Sequence, residues 1–421
     1  MKLKLASILE PDATSRLRAL FRVNATDAAH VARGKRFLQL LALVTLVGVV
    51  AWATAFFKGH QVMGTTSEVP WGILIATYIF FVGASTGAGL VSALGHVFGV
   101  KLFEPLAKKA TFVSLLTLMI GFLVIASELE RPLLLAAMAV ISPNLSSPIW
   151  WMGALYALES ALITAELYFL LVDDHRRARF TGLASLLIAV AAFSNLGAVF
   201  GSSHARPYWA GPFVSIYFIA TALMAGAAVL ILIAYWGDYF SHDRTCRPET
   251  APLLAALRKL LALFLGIVAF FTAWRLIIGI QGEHYGVFEV TMAHVAGPMF
   301  VSFWLFEVFL GLAVPLWIVL GSKRQSPGFL ALGATLLLSS MLVMRYNFVY
   351  SGQMFSLRPL VGRMGERVSY APPFKGNVAG FLPYTPSIVE VLVVVGALAG
   401  AIVLSVVGLR VLRLQAQAEE T

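Results

Sequence analysis

Ten stretches of about 20 apolar residues recur along the chain, at roughly 37–57, 70–98, 110–127, 148–172, 181–200, 212–236, 256–280, 296–320, 328–350 and 385–409. A run of that length is what an α-helix needs to cross the hydrocarbon core of a bilayer. Backbone in lipid must satisfy its own hydrogen bonds, and a helix does so within one segment. The sequence therefore reads as an all-α polytopic membrane protein of about ten transmembrane helices. Composition agrees: of 421 residues, 59 % are hydrophobic and only 12 % charged, with mean hydropathy +0.84. That leaves too little polar residue to coat a soluble globule. The single cysteine, Cys246, argues against a disulfide framework, a metal cluster or an iron–sulfur centre held by this protein alone.

The cations set the expected topology. With ten spans both termini share one side, and that side collects twenty-two Lys and Arg against seven on the other. Short cytoplasmic loops are the basic ones, so both termini are expected in the cytoplasm. The net charge of +10 is thereby a topology signal and not a nucleic-acid footprint. Residues 1–36 lack the order of a signal peptide and read as a solvated or interfacial arm. The outer segment 351–383 is long, carries four cations and is rich in Pro. It is the candidate docking surface for an external partner, with a floppy loop as the plainer reading.

Charges inside a bilayer are costly and mark candidate sites. Glu159 and Glu166 lie seven residues apart in the fourth span, on one helix face and about 10 Å apart along the axis. Glu307, Glu390, Arg275 and Arg345 fall in later spans. Carboxylates at graded depth suit a proton path; the alternative is that the two arginines neutralise Glu307 and Glu390 as buried ion pairs. Aromatic and polar groups gather at the outer ends of the first spans: Trp71, Tyr78, Glu128, Arg131, Trp151 and Tyr156, with His204 on the rim. The tryptophans suit an interfacial belt. Tyr78 and Tyr156 lie deeper, where phenols can hydrogen-bond a carbonyl-bearing ring such as a quinone. The histidines fall mostly in loops and at span ends, which disfavours haem, whose ligands face each other inside spans. Gly83 and Gly87 sit four apart and permit close helix packing. A faint repeat relates Pro148…Glu159 to Pro298…Glu307, four spans on, which implies two parallel four-helix blocks.

Several pieces in order resemble the NrfD/PsrC family of quinone-interacting membrane subunits, in its ten-helix branch with the hydrogenase-2 and Dsr-complex membrane subunits. They are Val69-Pro70-Trp71-Gly72, Glu128-Leu129-Glu130-Arg131-Pro132, Ser147-Pro148-Ile149-Trp150 with Glu166, Arg206-Pro207-Tyr208-Trp209, Arg275, Glu307 with Pro315, Arg345-Tyr346-Asn347 with Gly352-Gln353, and Tyr384-Thr385-Pro386 with Glu390. Two pieces depart from the pattern. Ala192-Phe193-Ser194-Asn195 lacks the histidine of hydrogenase-type members, and Glu130 stands where glycine is common. The resemblance implies a subunit without haem or iron–sulfur cluster, exchanging electrons between menaquinone or ubiquinone and a periplasmic ferredoxin-like iron–sulfur subunit, alongside a further redox subunit. It also implies that the quinone lies near the outer surface of the first block, with Tyr78 about where some members place a ring-contacting histidine. Such a protein is not an enzyme alone. The expected divisions are the arm 1–36, a flanking helix 37–57, a quinone-binding block 70–200, a second block 212–350, the loop 351–383, and the last helix with its tail 384–421. A secondary transporter or ion pump using the same carboxylates is the alternative function.

Overall fold

In the computed structural model, the residues described are 28–241, 248–282, 286–321, 326–355 and 381–412. The larger part of the N-terminal arm and most of the 351–383 loop thus lie outside the described residues. Twelve helices follow in order: α1 (Ala28–Lys58), α2 (Ile73–His96), α3 (Ala107–Glu128), α4 (Pro132–Ile141), α5 (Pro148–Leu171), α6 (His175–Gly201), α7 (Phe213–Ser241), α8 (Thr250–Gln281), α9 (Val287–Ala296), α10 (Val301–Leu320), α11 (Pro327–Met354) and α12 (Ile388–Val411). Ten are long and apolar enough to cross a membrane. The other two, α4 and α9, are ten residues each and fill connections between spans that a search for full-length spans passes over. Proline opens α4, α5 and α11, where its fixed φ suits a first turn and its missing N–H costs no bond.

The packing repeats. In the first block α2 lies against α3, α5 against α6, and α2 against α6; in the second, α7 lies against α8, α10 against α11, and α7 against α11. The blocks join where α2 meets α7, flanked by α6 on α7 and α11 on α2. Glycine makes the central crossing possible. A Cβ added to Gly87 would overlap the Ala222 carbonyl, and one added to Gly226 would overlap the backbone of Gly87. Van der Waals packing drives helix association in lipid, and bare backbone lets the axes come close. The terminal spans α1 and α12 pair side by side, touching at Gly48 and Gly396.

One irregularity bears on the site. Residues Val301–Ala313 of α10 form a π-helix, and the Val314 N–H reaches back five residues to the Phe309 carbonyl. Pro315 follows, without an N–H to offer Gly311 and with a ring that crowds its carbonyl. The widened stretch carries Glu307, and such distortions concentrate at functional sites.

Candidate functional site

The first block holds a buried polar column. Tyr78 of α2 and Tyr156 of α5, each 2 % exposed, meet edge to face with ring centroids 6.3 Å apart. Phe122 of α3 closes the other side of Tyr156 at 5.8 Å. The Tyr156 hydroxyl faces the Tyr78 hydroxyl and makes no well-formed hydrogen bond among the described residues. One turn on, Glu159 is buried and its Oε2 is likewise without a partner. Below it a small cavity of about 10 Å³, room for at most one water, lies between α2, α3, α5 and α6, lined by Thr111, Ser114, Glu159 and Glu166 and by the apolar Ile163 and Leu186. Buried polar atoms with room between them are where ordered water sits. At the far end Glu166 accepts a hydrogen bond from the Thr111 hydroxyl at 3.0 Å, and His96 Nε2 stands 2.8 Å from its Oε1. The structure thus brings Tyr78, Tyr156, Glu159 and Glu166 into one line across the block.

The remaining residues singled out for the outer pocket lie elsewhere. Trp71 turns toward the block junction, stacked on Trp209 at 5.2 Å, with its backbone held at both N–H and carbonyl by the Gln353 amide. Glu128 ends α3 facing the Gly72 N–H, 3.5 Å away, and its Oε2 has no partner among the described residues. Arg131 and His204 are exposed, and Trp151 is 43 % exposed with its indole N–H on the Leu145 carbonyl.

The second block has its own cluster. Glu307 accepts from the Asn347 amide at 2.8 Å, and Ser302 donates to the same Asn347. Arg275 lies over the Tyr208 ring and hydrogen-bonds its hydroxyl. Arg345 is fully buried, donates to the Thr221 hydroxyl at 2.6 Å and sits 4.6 Å from the Phe218 ring centre. Its Nε and Nη1 have no partner among the described residues. Neither arginine comes within 4 Å of the Glu307 or Glu390 carboxylate among the described residues, although both lie close enough to Glu307 to attract its charge. Span number and depth do not give azimuth, and the guanidinium groups point to aromatic faces and hydroxyls instead.

Glu390 is the third residue of α12, in its first turn. Its carboxylate receives the N–H groups of Gly64 and Ser387 and the Tyr384 hydroxyl, each at 2.7 Å. Tyr384 in turn accepts from the Ile73 N–H at 2.8 Å, and burial pushes its phenol well above the ordinary range. The signal is present in the sequence: Ser387-x-x-Glu390 is a capping box.

Sequence reasoning also misses the role of His96, which by position is only a span-end histidine, and the buried site of His294. In α9, His294 Nδ1 faces the Val290 carbonyl at 2.8 Å, which only accepts, so Nδ1 carries the hydrogen and Nε2 accepts from Ser351 at 3.0 Å. Burial, aided by Arg275, lowers its pKa from 6.5 to about 3. The folded protein therefore keeps His294 neutral while an unfolded chain protonates it below pH 6.5. Stability from this group is full above that value and declines as pH falls toward 3, by about 2 kcal/mol at pH 5. Thermal scans in detergent between pH 7 and 5 should show this loss, and His294→Gln should flatten that part of the slope.

A family profile described as Polysulphide reductase, NrfD, matches residues 61–357. Among relatives, a putative dimethyl sulfoxide reductase membrane subunit of Halobacterium salinarum is 28 % identical over 414 residues, covering 92 % of this protein and 93 % of that one. The Hdr-like menaquinol oxidoreductase integral membrane subunit of Archaeoglobus fulgidus is 26 % identical over 381 residues, 89 % of this protein and 92 % of that one. A polysulfide reductase chain of Wolinella succinogenes is 24 % identical over 331 residues, 70 % of this protein and 99 % of that one. With ten spans and a profile match over most of its length, the chain belongs to the NrfD family of multi-pass membrane proteins.

Proposed function

We propose that this protein is the membrane subunit of a redox complex and exchanges electrons between a membrane quinone and iron–sulfur clusters of a partner on the outer side of a bacterial inner membrane. Both termini then face the cytoplasm. The observation that carries the reading is the buried Tyr78–Tyr156–Glu159 set, with a phenol and a carboxylate oxygen lacking well-formed hydrogen bonds among the described residues, inside an apolar wall. Such donors fit quinone carbonyls; a bound quinone supplies the two-electron, two-proton couple. The names of the relatives above, reductase and menaquinol oxidoreductase membrane subunits, support the same class.

Within that reading each residue has a task. Tyr78 and Tyr156 orient the ring by hydrogen bonds, and Phe122 excludes water. Glu159 holds or releases a proton at its free Oε2, and the cavity carries it to or from Glu166. Glu307, Arg275 and Arg345 form a second candidate path, whereas Glu390 anchors the α1–α2 connection at Gly64 to the start of α12. With one cysteine in the sequence, the clusters must come from the partner. Tyr78→Phe keeps ring volume and removes one hydrogen bond, worth about 1 kcal/mol. In the intact complex it should weaken quinol affinity roughly five-fold. Unchanged affinity and turnover would remove Tyr78 from the site.

A further inference from the structure

The buried column ends at a group no part of the reading above uses. His96 is the last residue of α2, and its side chain is 7 % exposed. Its Nε2 stands 2.8 Å from Glu166 Oε1 without being aligned for a hydrogen bond, and neither buried ring nitrogen has a hydrogen-bond partner among the described residues. The ring lies against bare backbone, since a Cβ added to Gly182 of α6 would come within 2.7 Å of Nε2. Thr111 fixes the opposite side of the carboxylate. The exposed Lys108–Asp173 pair lies one turn nearer the start of α3, on the face that carries the basic loops. Glu166 itself is 5 % exposed, so a proton leaving the cavity by that end passes the imidazole.

We propose that His96 is the port through which the Glu159–Glu166 cavity exchanges protons with water on the basic face of the membrane. A neutral ring with its hydrogen on Nδ1 takes a proton from the Glu166 carboxyl onto Nε2. The resulting imidazolium then releases the Nδ1 proton to a water admitted beside this buried nitrogen at the end of α2, and the reverse sequence loads the cavity. No bond other than N–H and O–H changes, and charge balances at each transfer. An imidazole suits the task because it is the side chain whose ordinary pKa lies near neutrality. The bland alternative is a tie that only holds α2 to α5.

The port rests on the Glu159–Glu166 path but needs no quinone chemistry for its test. The purified complex at acidic pH is transferred to heavy water, and the infrared stretch of the protonated carboxyls, assigned by its loss in Glu159→Gln and Glu166→Gln, is followed as it shifts. His96→Gln keeps a hydrogen-bonding side chain of similar reach but cannot carry the charge. It should slow the shift at least ten-fold with thermal stability retained. His96→Ala should be equally slow and recover when imidazole is added. Exchange at the wild-type rate in His96→Gln, or slow exchange in His96→Ala that imidazole leaves unchanged, would overturn the port and leave His96 as a tie. Slow exchange together with unaltered quinol turnover would uphold the port and count against coupling of the cavity to quinone.

Discussion

Glu159→Gln is expected to slow quinone-linked turnover by about a hundred-fold or more, because positioned proton transfer contributes about 10²–10⁴ to rate. The amide matches the carboxylate in shape and cannot take the proton. Little stability should be lost, since Oε2 of Glu159 makes no hydrogen bond among the described residues. In liposomes the same variant should lose the pH change on the basic side during turnover. Glu166→Gln should show both effects with a larger loss of stability, because its carboxyl group is packed against both the Thr111 hydroxyl and the His96 ring. Wild-type rate and proton stoichiometry in both variants would make these carboxylates structural.

The second large effect is structural. Gly87→Leu places a side chain where the Ala222 carbonyl already lies, and Gly226→Leu does the same against Gly87. Ordinary overpacking costs about 1–3 kcal/mol when neighbours can shift. Here the obstacle is backbone on both sides, at the junction of the two blocks, so the helices themselves must separate. We expect no monodisperse folded protein from either variant in mild detergent. Gly153→Leu serves as the control and should purify normally, because a Cβ at that position meets nothing within 4 Å. Normal yield and melting temperature for Gly87→Leu would show that the α2–α7 crossing is looser than its geometry.

Most of the architecture was legible because a twenty-residue apolar run has few other uses, and the ten runs match the ten long helices. The α4 and α9 helices were not, since ten apolar residues satisfy no spanning criterion. The candidate residues were legible as costly residues, and their partners were not. Glu159 and Glu166 share a helix, so seven residues of spacing fixed their relation. Arg345 and Glu307 lie on different helices, and nothing in spacing says that one turns to Thr221 and the other to Asn347. Glu390 reads as one of the costly charges of the tenth span, although Ser387 three residues earlier marks it as part of a helix start. His96 escapes notice because its significance depends on Glu166, seventy residues away, and on the absence of a side chain at Gly182.

The anchoring of the α1–α2 connection by Glu390 has a consequence for the order of assembly. The Gly64 N–H and its carboxylate acceptor are 326 residues apart. At about 5–20 residues per second, the ribosome needs roughly 16–65 s to deliver the second after the first. Until then the N–H groups of Gly64 and Ile73 wait for Glu390 and Tyr384, and the early spans sit in the membrane unfastened. Closure at Glu390 is therefore a report that synthesis has reached the last span. Polypeptides truncated before α12 should be the ones that membrane quality-control proteases find open at this rim.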